Sequence, residues 1–95
     1  MNNSKVYAVF DAKVKLFGRP FTDMSDDAAI RNFSDAVNEN GNPNNLWAKH
    51  PEDFSLFKIG DYNEDLGKLI PCNPESLVTA SALTAFNKKP KEIIQ

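Results

Sequence analysis

The only histidine, His50, stands in Lys49-His50-Pro51-Glu52-Asp53, where one imidazole has two carboxylates close behind it. A histidine base needs a carboxylate to orient it and a nucleophile or substrate proton within hydrogen-bond reach. Glu52 or Asp53 could orient His50, but the single cysteine, Cys72, stands far along the chain and no nucleophile accompanies the group. The stretch therefore reads as a polar loop leading into a strand, with Glu52 or Asp53 fixing a turn. One His and scattered carboxylates also fall short of a tetrahedral metal site. The glycines, Gly18, Gly41, Gly60 and Gly67, never cluster, so neither a phosphate loop nor a dinucleotide loop is present. These residues predict a protein that is not an enzyme, with no catalytic residue, no metal and no cofactor.

A second stretch carries a binding signal. In Lys13-Val14-Lys15-Leu16-Phe17-Gly18-Arg19-Pro20-Phe21, the cations Lys13, Lys15 and Arg19 are interleaved with the rings of Phe17 and Phe21. Single-stranded nucleic acid is held by cations that follow the phosphates and by rings on which bases stack, each ring contributing roughly 1–3 kcal/mol. The competing expectation is that both rings anchor the loop on the core while the cations are merely solvated. Trp47 and Tyr7 are further rings, better read as core.

Charge is unevenly distributed behind a net value of −2. Lys5, Lys13, Lys15 and Arg19 stand against Asp11 alone in residues 1–21, and Lys68, Lys88, Lys89 and Lys91 outnumber Glu75 and Glu92 after residue 66. The middle is acidic, with Asp61, Glu64 and Asp65 among its carboxylates. A general polyanion binder is excluded by this balance; a protein with one basic face is not.

These groups must be positioned by a small fold. Ninety-five residues make one domain, and a chain of that size buries roughly 60–65% of its unfolded surface. Lys5–Phe10 reads as a first strand, apolar on both faces: Val6, Ala8 and Phe10 on one, Tyr7 and Val9 on the other. Gly18 and Pro20 forbid a long regular element over residues 12–22. A helix is predicted over residues 25–39. Asp23 or Ser25 caps it, Asp26 and Asp27 face its positive end, and Ala29, Ile30, Phe33, Ala36 and Val37 form its apolar stripe. Asn40-Gly41 supplies a left-handed stop. Leu46–His50 reads as a short helical turn that Pro51 ends.

Phe54–Gly60 and Leu66–Ile70 are predicted as an antiparallel hairpin turning at Asn63-Glu64-Asp65, its first strand again apolar on both faces. From Asn73 the reading divides: Pro74 suits the first turn of a helix, whereas Leu77–Leu83 fits helix or strand. The expected class is α+β, a small antiparallel or mixed sheet in β-α-β-β order with one amphipathic helix on a face. Residues 1–86 form the domain and 87–95 a basic tail. The sheet's other face needs cover from the C-terminal segment or from a second copy, so a homodimer is one expectation.

A single cysteine excludes an internal disulfide and fits a reducing compartment. No apolar run approaches the ~20 residues that span a bilayer, and Met1–Lys5 has no secretory apolar region.

Val6–Asp11, Phe17–Phe21, Asp27–Phe33 and above all Lys49-His50-Pro51-Glu52-Asp53-Phe54-Ser55-Leu56-Phe57-Lys58-Ile59-Gly60 resemble the small nonstructural protein of gokushoviruses. These are single-stranded DNA bacteriophages of the Microviridae. The resemblance covers about residues 5–70. It implies a non-enzymatic DNA-binding helper in the host bacterial cytoplasm that assists single-stranded genome synthesis or packaging, and it brings no catalytic or DNA-contact residues with it. Single-stranded DNA is thus the first expected partner, met by Lys13, Lys15, Phe17, Arg19 and Phe21. The alternative is a protein–protein adaptor docking on the phage replication or capsid-assembly machinery or on a host factor, without touching DNA.

Overall fold

A computed structural model describes residues 3–87; Lys88, Lys89 and Lys91 of the expected basic tail lie outside the described residues. The longest apolar run near the start forms strand β1 (Asn3–Asp11), whose outer edge is lined in turn by two short strands, β2 (Leu16–Phe17) and β3 (Phe21–Asp23). Gly18 and Pro20 interrupt what would otherwise be one hairpin arm. The N–H of Gly18 still reaches the carbonyl of Val9 at 2.8 Å, so the chain stays beside β1 across the break.

Helix α1 (Asp26–Val37) follows, two residues shorter at its end than its sequence suggests. The Ser25 hydroxyl accepts from the Ala28 N–H at 3.1 Å, and Asp26 and Asp27 occupy the first turn, as expected. The stop falls at Asn38 rather than at Gly41. The Asn38 side-chain amide donates to the Ser34 carbonyl at 2.9 Å, and that of Asn45 donates to the Ala36 carbonyl at 2.9 Å. Two asparagines therefore add side-chain donors to carbonyls of the last turn, and Gly41, at φ +96°, turns the loop beyond.

The short helix α2 (Leu46–Lys49) lays Trp47 edge-on against Phe33, with ring centroids 5.1 Å apart, and a 3-10 turn at Pro51–Asp53 leads into β4 (Phe54–Asn63). The hairpin to β5 (Lys68–Thr79) closes on Asn63, whose side-chain oxygen accepts the N–H groups of Asp65 and Leu66, while Gly67 takes φ +67°. Asn73-Pro74-Glu75 opens no helix: β5 runs through both Pro71 and Pro74. An edge strand tolerates those prolines because its outward N–H positions need no ladder partner. Helix α3 (Ala80–Asn87) starts only after Thr79.

The sheet order is β2-β1-β4-β5, with β3 also on β1, and every pairing is antiparallel. The class is α+β, but the element order has three strands before the first helix. The two extra ones are too short to leave a periodic signal.

Both long helices lie on one face of the sheet. Tyr7, Val9, Phe54 and Leu56 point into it and pack with Ala29, Phe33, Val37 and Ala80. The Tyr7 hydroxyl donates to the Asp26 carboxylate at 2.7 Å. Burial, helped by that acceptor, pushes the Tyr7 phenol well above its ordinary range. The C-terminal segment thus reinforces the covered face and leaves the opposite one open.

Candidate nucleic-acid interface

Register decides which residues reach the open face. Side chains alternate along a strand, and directly paired residues share a face. Phe10 pairs with Phe17 and Ala8 with Phe57, so these point away from the helices, while Phe21 pairs with Tyr7 and points toward them. The rings agree. Phe10, Phe17 and Phe57 form a triangle with centroids 4.8, 5.4 and 5.9 Å apart, and Phe21 sits 5.8 Å from Tyr7. The two rings of the sequence motif therefore diverge to opposite faces. Phe17, 44% exposed, stays accessible, whereas Phe21 is half-buried beside the core.

The cations gather at the same end of the sheet as the triangle. Residues 12–15 form the β1–β2 turn, in which the Asp11 carboxylate accepts from the Lys13 N–H at 2.9 Å and the Asp11 carbonyl from that of Lys15 at 2.7 Å. Lys15 adopts φ +62°, a left-handed conformation uncommon without glycine. The turn is anchored from behind by a bond from the Ala12 N–H to the Asp53 carbonyl at 2.8 Å. Lys13, Lys15 and Arg19 are all exposed. The result is three rings on an open sheet face, bordered by a turn and a loop that carry three cations. Such a surface can stack bases and neutralise phosphates.

Phe10 and Phe57 complete the ring triangle but were not read as site residues. Their signal was the apolar character of both faces of the first two long strands, which does not say which face a helix covers.

His50, Glu52 and Asp53 bring one ligand atom each to within 4.8 Å of one another on the exposed 3-10 turn. Three donors are one short of a closed structural tetrahedral site. The Asp53 N–H bonds to the His50 carbonyl at 3.0 Å, which is the turn-fixing role expected of this stretch.

At the far end of the same face lies an open trough of about 700 Å³, lined by Val6, Pro20, Ile59, Leu69, Ile70 and Pro71 among others. At its floor Gly60 lets β5 approach β4 closely, because a Cβ there would sit 2.6 Å from the Ile70 carbonyl oxygen. Among the described residues no helix is long and apolar enough to cross a membrane.

No solved structure matches the chain. A curated relative, protein ORF5 of Chlamydia phage 1, is 34% identical over 83 residues, which cover 85% of this chain and 79% of the relative. The profile described as "Phage ORF5 protein" matches residues 4–83, so the likeness extends beyond residues 5–70 and takes in all of β5 and the start of α3. The chain belongs to the Phage ORF5 protein family of small phage proteins, in agreement with the gokushovirus resemblance of its sequence.

Proposed function

We propose that this protein is a non-enzymatic phage accessory protein that binds single-stranded DNA on the open face of its sheet. The observation that carries the reading is the ring triangle of Phe10, Phe17 and Phe57 beside the exposed cations Lys13, Lys15 and Arg19. Bases stack on the rings while the cations meet phosphates, a combination that tolerates any sequence. Binding of this kind suits a helper in the synthesis or packaging of a single-stranded genome in the host bacterial cytoplasm. Within one chain the acidic hairpin tip, with Glu64 and Asp65, lies at the opposite end of the strands from the β1–β2 turn.

The test is titration of a labelled single-stranded oligonucleotide at low and then physiological salt. Affinity should fall steeply with salt, each phosphate contact contributing a logarithmic slope of about −0.7. Replacing Lys13, Lys15 and Arg19 together by Glu should abolish binding and leave the fold intact. Affinity unchanged in that variant would refute the site.

The net negative charge and the apolar trough favour a second reading, an adaptor docking on phage replication or procapsid proteins or on a host factor. Recovery of such a partner after nuclease treatment, by a protein that binds no oligonucleotide, would favour it.

A further inference from the structure

The trough and the hairpin beside it have no function in DNA binding as proposed, and they are built unlike the rest of the chain. The helix-covered core ends at Tyr7 in β1 and Leu56 in β4; among the described residues none beyond them toward the β4–β5 turn belongs to that cluster, and Val6 is buried on the other side of the strand. Leu66 and Leu69 are 66% and 69% exposed there, and Ile70 47%. The radius of gyration, 14.9 Å, exceeds the ~12 Å of a compact chain of this length. Exposed leucines on a sheet end without helix cover invite a partner, and a ribbon of few strands is marginal in water without one.

We propose that the partner is a second copy of this chain. The β4–β5 hairpin of each copy lies in the trough of the other, about a two-fold axis that runs across the strands. Leu69, at the trough's edge, packs against Pro20 and Ile59 of the opposite copy.

Charge selects this antiparallel overlap. One wall of the trough is Pro20, which follows Arg19, with Lys15 and Lys13 further toward the basic end; the hairpin tip carries Glu64 and Asp65. An antiparallel overlap brings the acidic tip of each copy toward Arg19 of the other, whereas a parallel one would stack acidic tip on acidic tip. The whole molecule extends 53 by 31 by 22 Å, large enough to carry a patch of the ~800 Å² that each partner gives to a standard interface. Phe10 and its partner Phe17 lie four residues, about 13 Å, along β1 from Val6, whereas Phe57 is only two residues from Ile59, so the contact borders the ring triangle and shares Arg19 with it. The dimer then presents two basic ends pointing away from each other.

The test needs no DNA, so it stands or fails apart from the DNA-binding reading. Sedimentation equilibrium of the full chain should give twice the 10.6 kDa chain mass. Leu69→Glu should give the monomer mass with an unchanged far-ultraviolet circular dichroism spectrum, since that side chain is already exposed. Glu64→Lys and Arg19→Glu should each weaken the dimer, and the double variant should recover it. That recovery separates a contact between copies from loss of the hydrogen bond between Ser4 and Glu64 within one chain. A wild-type chain of monomer mass at every concentration would overturn the proposal and give the trough to another occupant. A dimer indifferent to Leu69→Glu, or no recovery in the double variant, would overturn it too.

Discussion

On the helix-covered face of the sheet, Tyr7, Val9, Phe54 and Leu56 meet Ala29, Phe33, Val37 and Ala80; on the other, Phe10, Phe17 and Phe57 meet one another with no helix over them. Both sets come largely from the same two strands and alternate along them. Residue type does not separate them, since phenylalanine appears on each side. What separates them is which face the helices α1 and α3 occupy. The covered face gains stability from full burial. The open face keeps large rings half in water, where their apolar surface remains to be matched by another molecule.

The largest test of that contrast is a pair of truncations one residue apart. Leu56 is fully buried, so Leu56→Ala should cost about 2–5 kcal/mol in urea unfolding. Phe57→Ala removes a larger side chain from the half-covered face and should cost less. An equal or greater loss at Phe57 would mean that the open face is part of the core.

The next effect is on binding. Phe17→Ala should weaken single-stranded DNA binding by about 1–3 kcal/mol, the contribution of one stacked ring. Its unfolding midpoint should move little, since Phe17 is exposed. Phe21→Ala should reverse the pattern, with stability lost and affinity kept, because that ring packs on Tyr7 at 5.8 Å.

The smallest effect concerns the covered face alone. Tyr7 has an ordinary value of 10.0 that folding raises, by burial first and by the Asp26 hydrogen bond second. A raised value means that the native state keeps a proton the unfolded chain releases. Stability should therefore hold below pH 10 and fall as pH rises above it. Tyr7→Phe should remove that alkaline fall while losing about 1 kcal/mol at neutral pH, the net worth of one hydrogen bond. Equal alkaline slopes in pH-dependent unfolding would show that another group governs it.

Much of the fold was legible because its periodic elements are long. The helix announced itself through the Ser25 cap, the acids of its first turn and the stripe from Ala29 to Val37, and both faces of β1 and β4 were readable as apolar. Its end was misplaced because Asn38 and Asn45 cap it from side chains, one of them seven residues on, a tertiary contact that no local pattern encodes. The run from Asn73 to Thr79 was ambiguous for a related reason. Pro74 fits a helix start and an edge strand equally, and only the pairing of Glu75 with Lys58 and Ser76 with Phe57 decides.

The candidate site divides the same way. Lys13, Lys15 and Arg19 emerge exposed at one end of the sheet, but Phe17 and Phe21 part company there. Their spacing of four lets both lie on one face of a regular strand, yet the break at Gly18 and Pro20 shifts the second short strand by one face relative to the first. Phe10 and Phe57 join the site through registers spanning 7 and 49 residues, Phe10 to Phe17 and Ala8 to Phe57, which sequence spacing does not reveal.

The central claim is that the open face, at its basic end, holds single-stranded DNA. Amide chemical-shift mapping by nuclear magnetic resonance, with an unlabelled oligothymidine added stepwise, tests it most directly. Shifts should concentrate in residues 10–19 and 55–57, with quiet amides in α1. Shifts confined to the helix face, or none at low salt, would contradict it.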